Sequence, residues 1–312
     1  MVMTMNMKKI GIIGCGNVGA TIAYEFAGSG LFSEMVLLDI DKKRAEGEAM
    51  DLSHGLPLSG PIQIYQGEYK DLSECGIIII AAGANQKPGE TRPELLGRNR
   101  IIMNSIVQQL LRYNKDCIII VVSNPVDVLT RMVFEASGFP PERVIGSGTV
   151  LDTARLKYLL GERLSVDIRN VHAFMIGEHG DSEFPVWSSA NISGIDLDDF
   201  CKLRKKSDFK ELKASVKDQV VNSAYRIIEG KGATYYGIAK AVGRIVECIV
   251  KDQHSILPIS VLVDGHYGLH GIYMSLPAIL GRNGVEEILD FDLDENELNH
   301  LKNAAERLID MQ

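Results

Sequence analysis

Several stretches of the chain are short and rich in β-branched residues, and they alternate with longer stretches in which apolar residues recur at helical spacing. Two of the short stretches, residues 77–82 and 117–122, are apolar at every position. Strands have this pattern when helices cover both faces of a parallel sheet. The pattern therefore predicts a doubly wound α/β sheet in the first half of the chain. Its predicted strands are residues 9–13, 35–39, 62–65, 77–82, 117–122 and 144–146.

The second half of the chain shows a looser pattern of mixed strands and long amphipathic helices. An apolar run at residues 171–176 predicts a strand, and the clearest helices are predicted at 206–229 and 295–309. A chain of 312 residues exceeds the usual size of one domain. We therefore predict a parallel-sheet domain over residues 1–148 and a mixed α+β domain over residues 149–312.

Composition and charge exclude several classes of protein. Apolar residues make up 46% and charged residues 24% of the chain, as in ordinary folded proteins and unlike disordered or collagen-like ones. The net charge of -8 argues against a nucleic-acid partner, because such proteins normally carry a concentrated basic surface. The densest basic cluster, residues 202–206, lies among acidic residues and is predicted to mark a solvated helix.

The sequence predicts neither a membrane span nor a secretion signal. Its longest apolar run is too short to cross a bilayer, and its first residues contain no apolar core. The five cysteines are scattered, without a Cys-x-x-Cys pair or a histidine at zinc-ligand spacing, so neither a disulfide framework nor a metal site is predicted. These features favour a reducing cytoplasm and no membrane partner.

A glycine-rich turn follows the first predicted strand and precedes a predicted helix. In this position Gly14 allows a tight turn, Gly16 lets a pyrophosphate approach the backbone, and Gly19 lets the helix pack close to the strand. Asp39 ends the next predicted strand, where its carboxylate would accept hydrogen bonds from an adenosine ribose and repel a 2′-phosphate. Such a turn alone also occurs without a ligand, but the strand, helix and acidic residue together favour a Rossmann-type domain that binds NAD rather than NADP. Its predicted contacts in the turn are Gly14, Gly16, Asn17, Val18 and Gly19.

Two charged residues and a histidine are candidates for acid–base chemistry. Asp152 and Arg155 are three residues apart in a predicted helical segment, so they lie on one face of it. Such a pair is commonly a surface ion pair of little energetic value, but it would equally present an acid and a base to a ligand. His179 lies in a loop after the apolar run at 171–176, and an imidazole exchanges protons near neutral pH.

Five segments in the same order resemble the lactate/malate dehydrogenase family, and the likeness covers nearly the whole chain. They are A-M-D-L-S-H-G at residues 49–55, G-A-N-Q-K-P-G-E-T-R at 83–92, V-S-N-P-V-D at 122–127, G-S-G-T-V-L-D-T-A-R at 146–155 and I-G-E-H-G-D at 176–181. The segment at 83–92 resembles the mobile active-site loop of the L-lactate dehydrogenases. The resemblance implies an NAD-dependent oxidoreductase that reduces pyruvate reversibly to L-lactate.

The resemblance also implies roles for individual residues. His179 would donate a proton in ketone reduction and accept one in alcohol oxidation, with Asp152 as its partner. Arg155 would grip the substrate carboxylate through two parallel hydrogen bonds, and Arg92 would polarise the substrate carbonyl when the loop closes. The remaining implied contacts are Gln86, Asn124 and Thr234 with the substrate, and Gly83 and Asn124 with the cofactor.

Three alternatives remain beside this interpretation. Malate dehydrogenases share the fold, but they place a third arginine in the loop where this chain has Gln86. NAD-dependent glycosidases share the cofactor fold, but they rely on metal-binding Cys and His positions that we do not find in this sequence. A non-enzymatic dinucleotide sensor would not need the proton-relay residues.

The resemblance further implies a homo-oligomer, for which a tetramer is expected. Many bacterial members of the family are activated by fructose 1,6-bisphosphate through an arginine and a histidine, and the matching positions here are Lys157 and His172. A lysine holds a phosphate as a point charge and not as a bidentate fork. The sequence therefore leaves open both weak activation and none.

Overall fold

The computed structural model describes residues 5–84, 92–205 and 209–311. This part of the chain forms two compact units. The first consists of the residues up to Ser147 together with Tyr235–Ser255 and Ile279–Glu287. The second consists of Gly148–Thr234, Ile256–Ala278 and the residues from Ile288 onward.

A parallel sheet forms the centre of the first unit. Its strands are β1 (Lys9–Ile13), β2 (Glu34–Leu38), β3 (Gln63–Gln66), β4 (Ile77–Ile80), β5 (Ile118–Val121) and β6 (Val144–Gly146). Neighbouring strands pair in parallel in the spatial order β3-β2-β1-β4-β5-β6. The carboxyl ends of β1 and β4 lie where this order changes direction, which is where open α/β sheets bind ligands. The predicted doubly wound sheet is confirmed.

Burial on both faces explains the fully apolar strands. Every residue of β1, β4 and β5 is buried. Strands β1, β2, β4 and β5 are followed by helices α1 (Asn17–Ala27), α2 (Lys42–Gly55), α3 (Arg92–Leu110) and α4 (Val126–Ser137). Asp41 caps α2 by accepting hydrogen bonds from the N–H groups of Lys43 and Arg44, and Gly138 ends α4 in the left-handed conformation.

The second unit begins with α5 (Val150–Leu164). It continues with the short strands β7 (Val171–His172), β8 (Met175–Ile176), β9 (Phe184–Pro185), β10 (Asn191–Ile192) and β11 (Ile195–Asp196), and with the helices α6 (Leu197–Leu203), α7 (Phe209–Val221) and α8 (Ser223–Lys231). Strands β11, β10 and β7 form one small sheet, and β8 pairs with β9. One face of α5, formed by Leu156, Leu160 and Leu164, packs into the core of this unit with Val171 and Val216.

The chain continues with α9 (Tyr236–Lys251), which packs against α1 in the first unit. The strands β12 (Ser255–Val263), β13 (Ile272–Gly281) and β14 (Gly284–Ile288) follow as neighbours in a sheet, and α10 (Glu295–Met311) ends the described chain. Within the described ranges, no helix combines the length and the apolar character that crossing a membrane requires. All five cysteines, each within the described residues, are buried and form no disulfide.

Two predictions for the second half are wrong in detail. The helix predicted at 206–229 is interrupted at Asn222, where α7 gives way to α8. The side chains of Asn222 and Ser223 there donate hydrogen bonds to backbone carbonyls one turn earlier, as residues that compete with regular helices do. The strand predicted at 171–176 is two strands, because β7 pairs with β10 whereas β8 pairs with β9.

Candidate active site

The glycine turn after β1 is built by close backbone contacts. Gly14 has a φ of +99°, and a Cβ atom on it would overlap the backbone of Ala82. A Cβ atom on Gly19 would overlap the carbonyl oxygen of Gly14. Gly16 differs, because a Cβ atom there would meet nothing within 4 Å. Packing therefore requires glycine at positions 14 and 19, whereas Gly16 borders open space.

The first turn of α1 is open beside Gly16. Among the residues that the structure describes, no side chain caps the helix, and its first turn holds no acidic residue. The N–H groups of Asn17, Val18 and Gly19 begin the helix, where the helix dipole favours an anion. This cradle fits the pyrophosphate of a dinucleotide.

Asp39 lies beside the same turn. Its carboxylate accepts hydrogen bonds from the N–H of Cys15 at 2.6 Å and from the N–H of Asp41 at 2.9 Å. These bonds hold the carboxylate next to the cradle, where it fits the role of a ribose acceptor. Burial, assisted by the charge of Asp39, raises the pKa of the Cys15 thiol to about 12, so this thiol stays protonated.

The ends of β4 and β5 are joined by a buried asparagine. Asn99 of α3 accepts a hydrogen bond from the N–H of Ala84 at 2.8 Å and donates one to the carbonyl oxygen of Asn124 at 3.4 Å. Asn124 precedes a cis peptide bond to Pro125, and its side chain is exposed. Gly83 and Asn124 therefore lie at the carboxyl edge of the sheet, as expected for residues that contact a cofactor.

A buried carboxylate in α5 joins a histidine and an arginine. Nδ1 of His179 lies 2.8 Å from Oδ2 of Asp152, and Nη1 of Arg155 donates to Oδ1 of Asp152 at 2.7 Å. The side chain of Asp152 is 2% exposed, that of Arg155 14% and that of His179 22%. The structure thus brings these three predicted residues together. The pair formed by Asp152 and Arg155 is not a surface ion pair.

The charges of this cluster keep Asp152 ionised. Burial alone would raise the pKa of Asp152, but attraction from His179 and Arg155 outweighs burial, and the pKa is lowered. The anionic Asp152 fixes the ring of His179 through Nδ1 and favours its protonated form. Nε2 lies on the opposite side of the ring from this carboxylate.

Comparison with known proteins identifies the family. Residues 8–146 match the family model described as lactate/malate dehydrogenase, NAD binding domain. Residues 149–311 match the model described as lactate/malate dehydrogenase, alpha/beta C-terminal domain. The chain belongs to the lactate/malate dehydrogenase family.

Relatives of this dehydrogenase match it over almost their full length. The L-lactate dehydrogenase of Acetivibrio thermocellus is 50% identical over 302 residues, which cover 97% of this chain and 95% of the relative. L-lactate dehydrogenase 1 of Clostridium acetobutylicum is 49% identical over 300 residues, which cover 96% of each chain.

Solved structures agree with this fold. A lactate dehydrogenase from a Medee basin deep-sea metagenome library has a TM-score of 0.96 at 44% identity and covers 98% of both chains. The minor L-lactate dehydrogenase of Enterococcus mundtii, in a ligand-bound form, has a TM-score of 0.95 at 37% identity and covers 97% of both chains. This dehydrogenase is therefore an NAD-binding oxidoreductase, and membership of the family removes the glycosidase and sensor alternatives.

Glu183 is a residue of this dehydrogenase that the sequence analysis missed. Its side chain is 3% exposed, and its Oε2 lies 3.8 Å from Nδ1 of His179. Burial, followed by repulsion from Asp152, raises the pKa of Glu183 well above that of an ordinary glutamate. The spacing of four residues from His179 is a weak signal, because residues at this spacing are neighbours in space only within a helix.

The loop that carries His179 is held on both sides. Gly177 exchanges two backbone hydrogen bonds with Ser275 of β13, at 3.0 and 2.9 Å. The hydroxyl of Tyr225 in α8 donates to Asp181 at 2.9 Å. These bonds hold the backbone before the histidine and the side chain of Asp181 after it.

Three further residues are predicted to contact the substrate: Gln86, Arg92 and Thr234. Gln86 lies outside the described residues, as does the side chain of Arg92, whose backbone begins α3. Thr234 lies between α8 and α9 and is half-buried. Their contacts with a substrate stay predictions.

The two positions matched to an effector site lie in the second unit. Lys157 is half-buried in α5, and burial lowers the pKa of its ammonium group. His172 is exposed in β7. Binding of a sugar bisphosphate by these residues stays a prediction.

Proposed function

We propose that this enzyme catalyses the reversible reduction of pyruvate to L-lactate with NADH. Relatives that are named L-lactate dehydrogenase support the substrate, since they share half of the sequence along nearly the whole chain. The observation that carries the proposal is the cluster of buried Asp152 with half-buried His179 and Arg155, with bonds of 2.8 and 2.7 Å. This cluster combines a proton donor with a cation for a substrate carboxylate.

Each residue of the cluster has a chemical task. Arg155 uses one N–H group on Asp152, and its remaining N–H groups bind the planar carboxylate of the substrate. NADH, when bound, would supply the hydride that reduces the keto carbon. Protonated His179 donates from Nε2 to the carbonyl oxygen, and in the reverse direction the neutral ring accepts that proton. Asp152 stays ionised and stabilises the imidazolium in both directions.

The cofactor would be held by the first part of the chain, residues 1–148. Residues 14 and 16–19 form the cradle for the pyrophosphate, and Asp39 accepts hydrogen bonds from the adenosine ribose. Gly83 and Asn124, at the ends of β4 and β5, contact the rest of the cofactor. Residues 149–312 would supply the substrate-binding and catalytic groups.

The choice of substrate within the family depends on the segment at 83–92. Gln86 is neutral, which suits the methyl group of pyruvate better than the second carboxylate of oxaloacetate. Arg92 polarises the substrate carbonyl, Asn124 contacts its oxygen, and Thr234 forms part of the pocket wall. These roles follow the resemblance and favour lactate over malate as the hydroxy acid.

The wider setting follows from the same resemblance. The enzyme would act in the cytoplasm as a homotetramer, and its reaction fits fermentation, in which the NADH of glycolysis is reoxidised. At the effector positions, Lys157 offers fructose 1,6-bisphosphate a point charge in place of a guanidinium. A point charge holds a phosphate without the geometry of a fork, so we expect weak activation or none.

Oxidation of NADH, followed by absorbance, tests the proposed function. Pyruvate, oxaloacetate and longer 2-keto acids are compared at equal concentrations with the same enzyme. We expect kcat/KM to be highest for pyruvate. A higher value for oxaloacetate would assign the enzyme to malate instead, and no oxidation with any of the acids would contradict a dehydrogenase of this substrate class.

The substitution Asp39→Ser should relax the preference for NADH over NADPH. It removes the negative charge that would repel a 2′-phosphate, so the ratio of kcat/KM for the two cofactors should fall by about tenfold or more. Glu74→Ser removes an exposed carboxylate elsewhere in the first unit and serves as the control. Equal ratios in wild type and Asp39→Ser would count against the ribose assignment of Asp39.

A further inference from the structure

A second carboxyl group lies close to the histidine of the proton relay. Glu183 directly precedes β9, and its N–H donates to the carbonyl oxygen of Gly180 at 3.3 Å. Its Oε2 is 3.8 Å from Nδ1 of His179. One side-chain nitrogen or oxygen atom from each of Asp152, His179 and Glu183 lies within 4.8 Å of the other two. Oε2 is buried and makes no hydrogen bond among the described residues. Burying a carboxyl oxygen without a hydrogen bond lowers the stability of the fold, so we expect Glu183 to have a functional role.

The neighbouring charges determine the state of Glu183. Both oxygens of Asp152 are already occupied, one by Arg155 and one by His179. Burial, repulsion from Asp152 and a side-chain hydrogen bond with Asp152 raise the pKa of Glu183, while attraction from His179 and Arg155 acts in the opposite direction. Among the described residues, Asp152, His179 and Arg155 are the charged groups with the largest effect on Glu183. Its ionisation is therefore favoured when His179 is protonated and disfavoured when His179 is neutral.

We propose that Glu183 and His179 form a coupled pair, in which ionised Glu183 stabilises the imidazolium of His179 and so extends pyruvate reduction to higher pH. Glu183 is a positioning residue in this proposal, because it acts on the substrate only through His179. Protons leave such a pair in two steps that belong to both groups, so the loss of activity at high pH should be spread over a wide range. The inference rests on the proposed function, since it concerns the proton that reduces pyruvate.

A metal ion fits this space less well than a proton. Two carboxyl groups and an imidazole are suitable ligand types, and their atoms are close together. However, Nδ1 of His179 and Oδ2 of Asp152 are bonded to each other at 2.8 Å. The guanidinium of Arg155 also lies 2.7 Å from the same carboxylate and would repel a cation. The cluster is therefore suited to holding protons.

The substitution Glu183→Gln tests the pair, because it keeps the shape of the side chain and removes the charge. We expect the basic limb of kcat/KM for pyruvate to move to lower pH by about one unit. This is the smallest pKa shift that a nearby opposite charge typically causes. The limb should also steepen to that of a single proton. A merely structural role would lower the rate by the same factor at every pH.

Modification of His179 by diethyl pyrocarbonate gives a second measurement that needs no turnover. The reagent attacks the neutral imidazole, and peptide mass spectrometry separates His179 from the other histidines. In wild type we expect the modification rate to change with pH more gradually than a single-proton curve, whereas in Glu183→Gln the midpoint should move to lower pH. A single-proton curve in wild type would overturn the proposal even if the variant does not fold.

Glu162→Gln is the matched control, because it makes the same substitution at an exposed position of α5. Its basic limb should stay within about 0.2 pH units of wild type, since solvent and salt screen an exposed charge. A basic limb in Glu183→Gln that coincides with that of Glu162→Gln, or a uniform loss of rate, would overturn the pair. Absence of pyruvate reduction in wild type would instead refute the proposed function, and the modification experiment would still test the pair.

Discussion

The substitution His179→Gln is expected to lower kcat for pyruvate by about 10³-fold or more, while the affinity for NADH stays within about threefold of wild type. Glutamine keeps much of the size and hydrogen bonding of histidine, but it cannot supply a proton to the carbonyl oxygen. The lost interaction belongs to the transition state, so the chemical step suffers and cofactor binding does not. NADH absorbance gives kcat, and quenching of protein fluorescence gives the Kd of NADH.

His270→Gln is the control for this experiment. His270 is exposed and pairs with the exposed Asp264, so its loss should change kcat by less than about twofold. A decrease of only a few fold in His179→Gln would remove His179 from the proton relay. A matching loss of NADH affinity would show that the substitution had disturbed the protein more widely.

The substitution Gln86→Arg should shift the ratio of kcat/KM for oxaloacetate and pyruvate by much more than tenfold toward oxaloacetate. With Gln86, the second carboxylate of oxaloacetate would be buried without a cation, at a cost on the order of 3 to 5 kcal/mol. Arginine supplies that cation. With pyruvate the new cation is itself left without a partner, so the same substitution should raise one activity and depress the other.

Gln108→Arg adds the same charge at an exposed position of α3 and is the matched control. Its ratio for the two substrates should equal that of wild type. A shift of less than about tenfold in Gln86→Arg, the equivalent of about 1.4 kcal/mol, would mean that residue 86 does not face the substrate. The choice of lactate over malate would then rest on the relatives alone.

The first half of the fold could be predicted from the sequence because its signals are local. Strands buried on both faces must be apolar throughout, and residues 77–82 and 117–122 show this directly. Two glycines of the turn are likewise required locally: Gly14 by its φ of +99°, and Gly19 by its contact with the carbonyl oxygen of Gly14 in the same strand–turn–helix segment. Sequence patterns identify such segments because the residues that impose the constraint are neighbours along the chain.

The second half depends on contacts between distant segments. The apolar run at 171–176 gives no sign that β7 and β8 pair with different strands, since both halves are equally apolar. Asn99 and Glu183 were missed for a related reason. A single polar residue in a helix or loop looks exposed until the fold buries it beside Asn124 or His179.

The pairing of Asp152 with Arg155 could be predicted only in part from the sequence. Helical spacing placed the two residues on one face, but it could not decide between a surface pair and a buried one. The structure decides this through the 2% exposure of Asp152 and through His179, which arrives from a loop 27 residues further along the chain. The resemblance to a family supplied that partner, and the spacing did not.

The central claim is that His179 serves as proton donor in one direction and proton acceptor in the other. The measurement that tests it most directly is the pH dependence of kcat/KM in wild type, for pyruvate with NADH and for L-lactate with NAD. We expect reduction to fall at high pH and oxidation to fall at low pH, with midpoints that agree within about one pH unit. The claim would be contradicted if both activities declined in the same direction of pH, or if the oxidation of L-lactate did not decline at low pH.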